Sequence, residues 1–121
     1  MKVVNLLDSI ATTQIDPDVG IALVQGVAEP GVSIGLAVVQ DRIKPHYQKV
    51  SDEIYYIVQG QGRLTLGEET CELRKGDVAT IPKGQVHGFV NTGAEPCLVL
   101  FASGPKFEPE TDRFFPDQDQ A

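Results

Sequence analysis

With 121 residues the chain is sized for one domain, and a hydrophobic share of 41% is enough to bury a core. Aromatic residues make up only 7% and tryptophan is missing, so that core must be largely aliphatic. The 17 acidic residues against 10 basic ones give a formal net charge of −7, which argues against a nucleic-acid partner or an anionic membrane surface.

In chain order, MKVVNLLDSI is apolar only in short pieces broken by Asn5 and Asp8, and no segment reaches membrane-spanning length. A cytoplasmic protein is therefore expected, with a first strand and one helical turn around DSIATTQ inside residues 1–20. IALVQGVA (21–28) and SIGLAVVQ (33–40), split by Glu29-Pro30-Gly31, predict a hairpin. Turn residues then recur at Gly60-Gln61-Gly62, Gly67-Glu68-Glu69, Lys75-Gly76-Asp77, Pro82-Lys83-Gly84 and Asn91-Thr92-Gly93, with runs rich in Val, Ile, Leu, Thr and Tyr between them. Short strands at such spacing predict an all-β sandwich or barrel, and no stretch carries a helical apolar period. GQGRLTLG begins with Gly-x-Gly but opens no helix, so it is read as a hairpin turn.

The expected organisation is a single domain over 1–121, with a body at about 20–103 and a tail at 104–121. The last residues of the proline- and acid-rich tail are predicted to be disordered. Phe107, Phe114 and Phe115 are too apolar for a solvated end, so the tail should pack back on the body or on a partner subunit. Cys71 and Cys97 form no CxxC pair and are expected as reduced, strand-buried thiols.

The chemistry concentrates in HYQKVSDEIYY. An extended strand over 43–49 places Lys44, His46 and Gln48 on one face, and Glu53, Tyr55 and Ile57 share a face of the next strand. If the two strands are neighbours across Val50-Ser51-Asp52, then His46, Gln48 and Glu53 converge. His87, the other of the two histidines, comes from the strand VHGFV. Two imidazole nitrogens, a carboxylate and an amide oxygen suit a divalent first-row metal. Each residue alone has a plainer reading: a strand histidine is commonly satisfied or solvent-facing, and Glu53 alone would be a surface acid.

From His46 to Asn91 the sequence resembles the small single-domain cupins. One motif of that family fits His46, Gln48, Glu53 and Gly60, and the other fits Gly76, Pro82, Gly84, His87 and Asn91. The resemblance implies a double-stranded β-helix, or jelly-roll, barrel. It also implies that His46, Glu53 and His87 are metal ligands, with iron, manganese, nickel or zinc as the ion. Gln40 replaces the glycine that opens the first motif, and Gln48 stands where the family has its second histidine.

Gln48 leaves two readings open. Its amide oxygen completes the ligand set, or it withdraws to hydrogen-bond a bound water or substrate beside a metal or an empty site. Lys44 also has two: alternation aims it at the interior to meet an anionic substrate, whereas Pro45 and the strand start turn it onto the rim. Tyr55 is a candidate proton donor or a core residue, and Arg42 and Arg63 are candidates for a basic mouth. The function expected is a metal-dependent enzyme of isomerase, lyase, decarboxylase or dioxygenase type acting on a small oxygenated, anionic molecule. The alternative is a non-catalytic module that binds a small molecule or sugar. Strand edges that need cover, and the Phe-bearing tail, predict a homodimer.

Overall fold

In a computed structural model that describes residues 1–10, 14–15 and 20–116, the chain forms two antiparallel sheets. The strands are β1 (Ile21–Glu29), β2 (Val32–Val39), β3 (Arg42–His46), β4 (Asp52–Gln59), β5 (Gln61–Leu66), β6 (Glu69–Arg74), β7 (Val78–Ile81), β8 (His87–Asn91) and β9 (Cys97–Gly104). A five-stranded sheet runs β1-β2-β9-β4-β7 and faces a four-stranded sheet β3-β8-β5-β6, which is the all-β jelly-roll arrangement expected.

The predicted hairpin at 21–40 forms as β1 and β2, with a register shift between Gln25 and Val27. The turn at Gly60-Gln61-Gly62 is a correction. It makes no hairpin, because β4 lies in one sheet and β5 in the other. Gly60 carries the chain round this corner at φ +92°, in the left-handed region that favours glycine, with Cys97 close against its Cα. No strand precedes Ile21 among the described residues. Asn5–Ile10 instead hold a turn in which Ser9 and Ile10 N–H donate to the carbonyls of Leu6 and Leu7. The predicted helical turn lies partly outside the described residues, and the last residues of the tail, predicted to be disordered, lie outside them from 117 onward.

Two apolar layers hold the sheets. Ala37, Val39, Ile57, Leu64, Phe89 and Val99 belong to the layer between them. The outer face of the five-stranded sheet carries a second layer, with Val24, Leu36 and Val38 covered by Leu6, Ile10 and Ile15 of the N-terminal segment. Both cysteines are unpaired as expected, but only Cys97 is buried; Cys71 is exposed on β6.

The tail packs back on the barrel. Tyr47 and Phe114 exchange two backbone hydrogen bonds of 2.9 Å, and Phe107 N–H donates to Ser33 Oγ at 2.8 Å. Phe107 meets the Phe101 ring edge-on at 5.3 Å. Its strongest anchor is Asp112, a buried carboxylate that accepts the backbone N–H groups of Lys49 (2.7 Å), Val50 (3.1 Å) and Ser51 (3.0 Å). Three successive amides closing on one carboxylate are charge-assisted and fix the loop that leads from β3 into β4.

Candidate metal centre

Alternation sets the β4 side of the site. Glu53, Tyr55 and Ile57 are buried and face inward, while Asp52, Ile54 and Tyr56 face out. The expectation that β3 and β4 are neighbouring strands is corrected: β3 pairs with β8, and Glu53 reaches the site from the opposite sheet, where it pairs with Ile81 and Ser103.

The β3 side depends on an irregularity. Ile43 pairs with Phe89 and His46 pairs with His87, so three steps along β3 match two along β8. Lys44 and Pro45 form a bulge opposite Gly88, and Pro45 has no N–H to offer a ladder. The bulge lets Ile43 and His46 both point inward and leaves Lys44 exposed on the rim. Alternation alone had offered the interior for Lys44; the extra residue removes it. Arg42 and Arg63 form no basic mouth: they pair with Asp41 and Glu72 on the exposed surface.

His46, Glu53 and His87 thus come together, each offering a ligand atom within 4.8 Å of the others, and all three are buried. Each imidazole is oriented through its outer nitrogen. His46 Nδ1 lies 2.8 Å from Lys44 O and His87 Nδ1 lies 3.0 Å from Gln85 O. A carbonyl can only accept, so Nδ1 carries the proton in both rings, and in the neutral ring the Nε2 lone pair is left for the site. The ring centroids lie 4.3 Å apart. Burial first, then the neighbouring His87, holds His46 down at a pKa of about 4, so its ring is neutral at pH 7. Glu53 Oε2 accepts a hydrogen bond from Ser103 Oγ at 3.3 Å, while its Oε1 lies 3.4 Å from His87 Nε2.

Gln48 is buried at 2% exposure, on the inner side as alternation predicted. Its backbone carbonyl accepts the Gly84 N–H at 2.6 Å, tying the two motif segments together, with Gly84 at φ +83°. Among the described residues, three buried side-chain atoms find no hydrogen-bond partner: Gln48 Nε2, Glu53 Oε1 and His87 Nε2. An unsatisfied buried polar atom costs about 1–3 kcal/mol. Two of them, a carboxylate oxygen and an imidazole nitrogen in one buried group with His46, therefore fit a divalent cation as the missing partner, whereas the Gln48 N–H can only donate. The two ends of the Gln48 amide are nearly isosteric; exchanging them offers an oxygen in place of the N–H.

Asn91, at the end of the second motif, lies outside this cluster. Its amide donates to the carbonyls of Val39, Gln40 and Glu95, and its Oδ1 accepts the Gly93 N–H, so it braces the corner after β8.

A cavity of about 60 Å³ opens beside His46 and Glu53, walled by Ile43, Tyr55, Val99 and Phe101. Next to it lies a wider vestibule of about 420 Å³, which also reaches His46 and includes Lys44, Arg113 and Phe115. Tyr55 is fully buried, and burial, then Glu53, pushes its phenol well above the usual range, so it keeps its proton. Its ring meets His87 edge-on at 5.9 Å. Arg113 lines both cavities and was absent from the sequence-based candidates, as was Asp112. The available signal was TDRFFP: once Phe114 and Phe115 imply packing, the adjacent Asp112 and Arg113 must travel with them.

The cupin domain profile matches residues 35–103, and the chain belongs to the cupin family. An uncharacterised protein of Methanocaldococcus jannaschii is 34% identical over 102 residues, covering 84% of this chain and 78% of its own length. The solved TT1209 protein of Thermus thermophilus superposes with a TM-score of 0.76 at 26% identity, covering 88% of this chain and 100% of that one. A gentisate 1,2-dioxygenase from Haloferax sp is 25% identical over 84% of this chain, which corresponds to 26% of that enzyme.

Proposed function

We propose that the chain, as a single cupin domain, is a metal-dependent enzyme that acts on a small oxygenated, anionic molecule. The observation that carries the reading is the buried group of His46, Glu53 and His87, with orphaned atoms on Glu53 and His87, beside a mostly apolar cavity. His46, Glu53 and His87 would hold a divalent ion, and Gln48 would add its amide oxygen or hold a bound oxygen by its N–H. When bound, such an ion supplies Lewis-acid polarisation of a carbonyl or enolate oxygen, or redox chemistry if it is iron.

The protein's own groups do the rest. The backbone carbonyls of Lys44 and Gln85 fix the two imidazoles, and Ser103 fixes the carboxylate. Tyr55, protonated and on the cavity wall, donates a hydrogen bond to a substrate oxygen and keeps its proton. Val99, Phe101 and Phe107 exclude water around the reacting atoms. Similarity to part of a gentisate dioxygenase is in keeping with an aromatic or enolic acid as substrate. Exposed Ile54 (45%), Tyr56 (40%) and Val78 (61%) on the outer face of the five-stranded sheet support a homodimer.

The test is turnover. Protein stripped with chelator and reloaded with iron, manganese, nickel or zinc is assayed on keto acids, enols and hydroxybenzoates. Metal-dependent turnover, lost on re-chelation and reduced in Tyr55→Phe, is expected. Stoichiometric metal with no turnover of any of them would favour the non-catalytic binding module instead.

A further inference from the structure

The C-terminal segment does more than close the barrel. Arg113 sits between two anchors, the Asp112 carboxylate held by three backbone amides and the Phe114 backbone paired with Tyr47. Its backbone is therefore fixed to the same loop that carries Gln48, although its side chain is exposed. Arg113 Cζ lies 5.6 Å from the centroid of the Phe115 ring, and Lys44 Nζ lies 5.2 Å from the same centroid. The Phe115 ring is in turn 6.3 Å from the His46 ring. Neither cation forms an ion pair with a described residue, in a chain whose net charge is −7.

Two cations with no ion-pair partner among the described residues thus share one aromatic platform at the opening of the cavity, and both line the vestibule. The rest of the wall is mostly apolar, with Ile21, Leu23 and Ile43 common to both chambers. A ligand suited to these walls has an apolar body and one anionic end. The planar guanidinium fork matches a planar carboxylate in two parallel hydrogen bonds. Among the described residues, the vestibule lining offers no glycine-rich loop of backbone N–H groups of the sort that cradles phosphate.

We infer that Arg113, seconded by Lys44, is the residue that recognises the substrate carboxylate, which makes the substrate an aryl or alkyl carboxylic acid held with its charged end in the vestibule and its oxygenated end toward His46. The inference builds on the enzyme reading above, but carboxylate binding at Arg113 needs no turnover and is measured separately from metal content.

The experiment titrates the full chain with benzoate, the neutral isostere benzamide and phenyl phosphate by isothermal calorimetry and amide-resolved NMR, with metal content determined on the same samples. Benzoate should bind in preference to phenyl phosphate and to benzamide, with shifts at Arg113 and His46. Arg113→Gln should weaken benzoate about tenfold, the loss of a charge-assisted hydrogen bond, while leaving benzamide and metal content unchanged. Arg113→Lys should recover part of the loss, and Lys44→Gln should cost less than Arg113→Gln. Equal benzoate affinity in wild type and Arg113→Gln, an equal fall for benzamide, tighter binding of phenyl phosphate, or no saturable benzoate binding by the wild type would each overturn the assignment. Normal benzoate binding in protein that takes up no metal would leave Arg113 standing and remove the metal-enzyme reading.

Discussion

β3 and β4 flank the candidate centre from opposite sheets, and they deliver their side chains by different rules. β4 alternates without interruption, so Glu53, Tyr55 and Ile57 point inward as period-two patterning requires. β3 carries one extra residue at Lys44-Pro45, which keeps Ile43 and His46 on the inner face and turns Lys44 to the rim. The regular strand supplies the carboxylate, and the irregular one aims the imidazole and sets a cation aside for the mouth. A regular strand shows its inward set in the sequence, whereas a bulge re-aims a side chain without leaving a periodic mark.

The comparison breaks hardest at β4. Glu53→Ala removes the carboxylate, and metal affinity should fall more than about 100-fold, beyond the 10- to 100-fold typical of outer-shell losses. Calorimetric titration with zinc and manganese reads this directly, and a fall under tenfold would place Glu53 outside the ligand set. Next comes the loop between the two strands. Asp112→Ala orphans the Lys49, Val50 and Ser51 amides and should cost about 1–3 kcal/mol in urea unfolding. An unchanged midpoint would show that the tail does not hold this loop.

The pH response tests the imidazole that the bulge buries. His46 titrates near 4 when folded and near 6.5 when unfolded, so the unfolded chain binds the proton first as pH falls. Stability of the metal-free protein should be complete above pH 6.5 and decline between 6.5 and 4. His46→Gln should flatten that dependence in urea midpoints measured across the window, and an equally steep decline in the variant would assign it to other groups. Smaller still is the Gln48 effect. Gln48→Ala should weaken metal binding roughly tenfold or less, and Gln48→His should tighten it, since imidazole is the stronger donor to first-row metals. Identical affinities in all three proteins would put the amide on a bound oxygen rather than on the ion. Lys44→Ala should be smallest: on the rim, it should change metal affinity less than about twofold and stability by less than about 0.5 kcal/mol.

How far the molecule could be read in advance follows the same division. His46, Glu53 and His87 were legible because two spaced motifs specify them together, and Gln48 because its alternation with His46 survives past the strand end. The sheet partners were not, since Gly60-Gln61-Gly62 makes the same turn signal at a corner between sheets as in a hairpin. Lys44 was half legible: Pro45 hinted at the rim, but only the pairing of Ile43 with Phe89 and His46 with His87 reveals the bulge. Asp112 and Arg113 were hidden by distance along the chain. The Asp112 contact with Ser51 spans 61 residues, and no local pattern encodes which loop a tail carboxylate will meet.

The central claim is that one divalent ion satisfies the orphaned atoms of Glu53 and His87. Elemental analysis after chelator stripping and reloading with iron, manganese, nickel and zinc in turn tests it most directly. The account predicts stoichiometric uptake of at least one of these metals by the wild type and none by Glu53→Ala. Sub-stoichiometric uptake of all four by the wild type, or equal uptake by the variant, would contradict it.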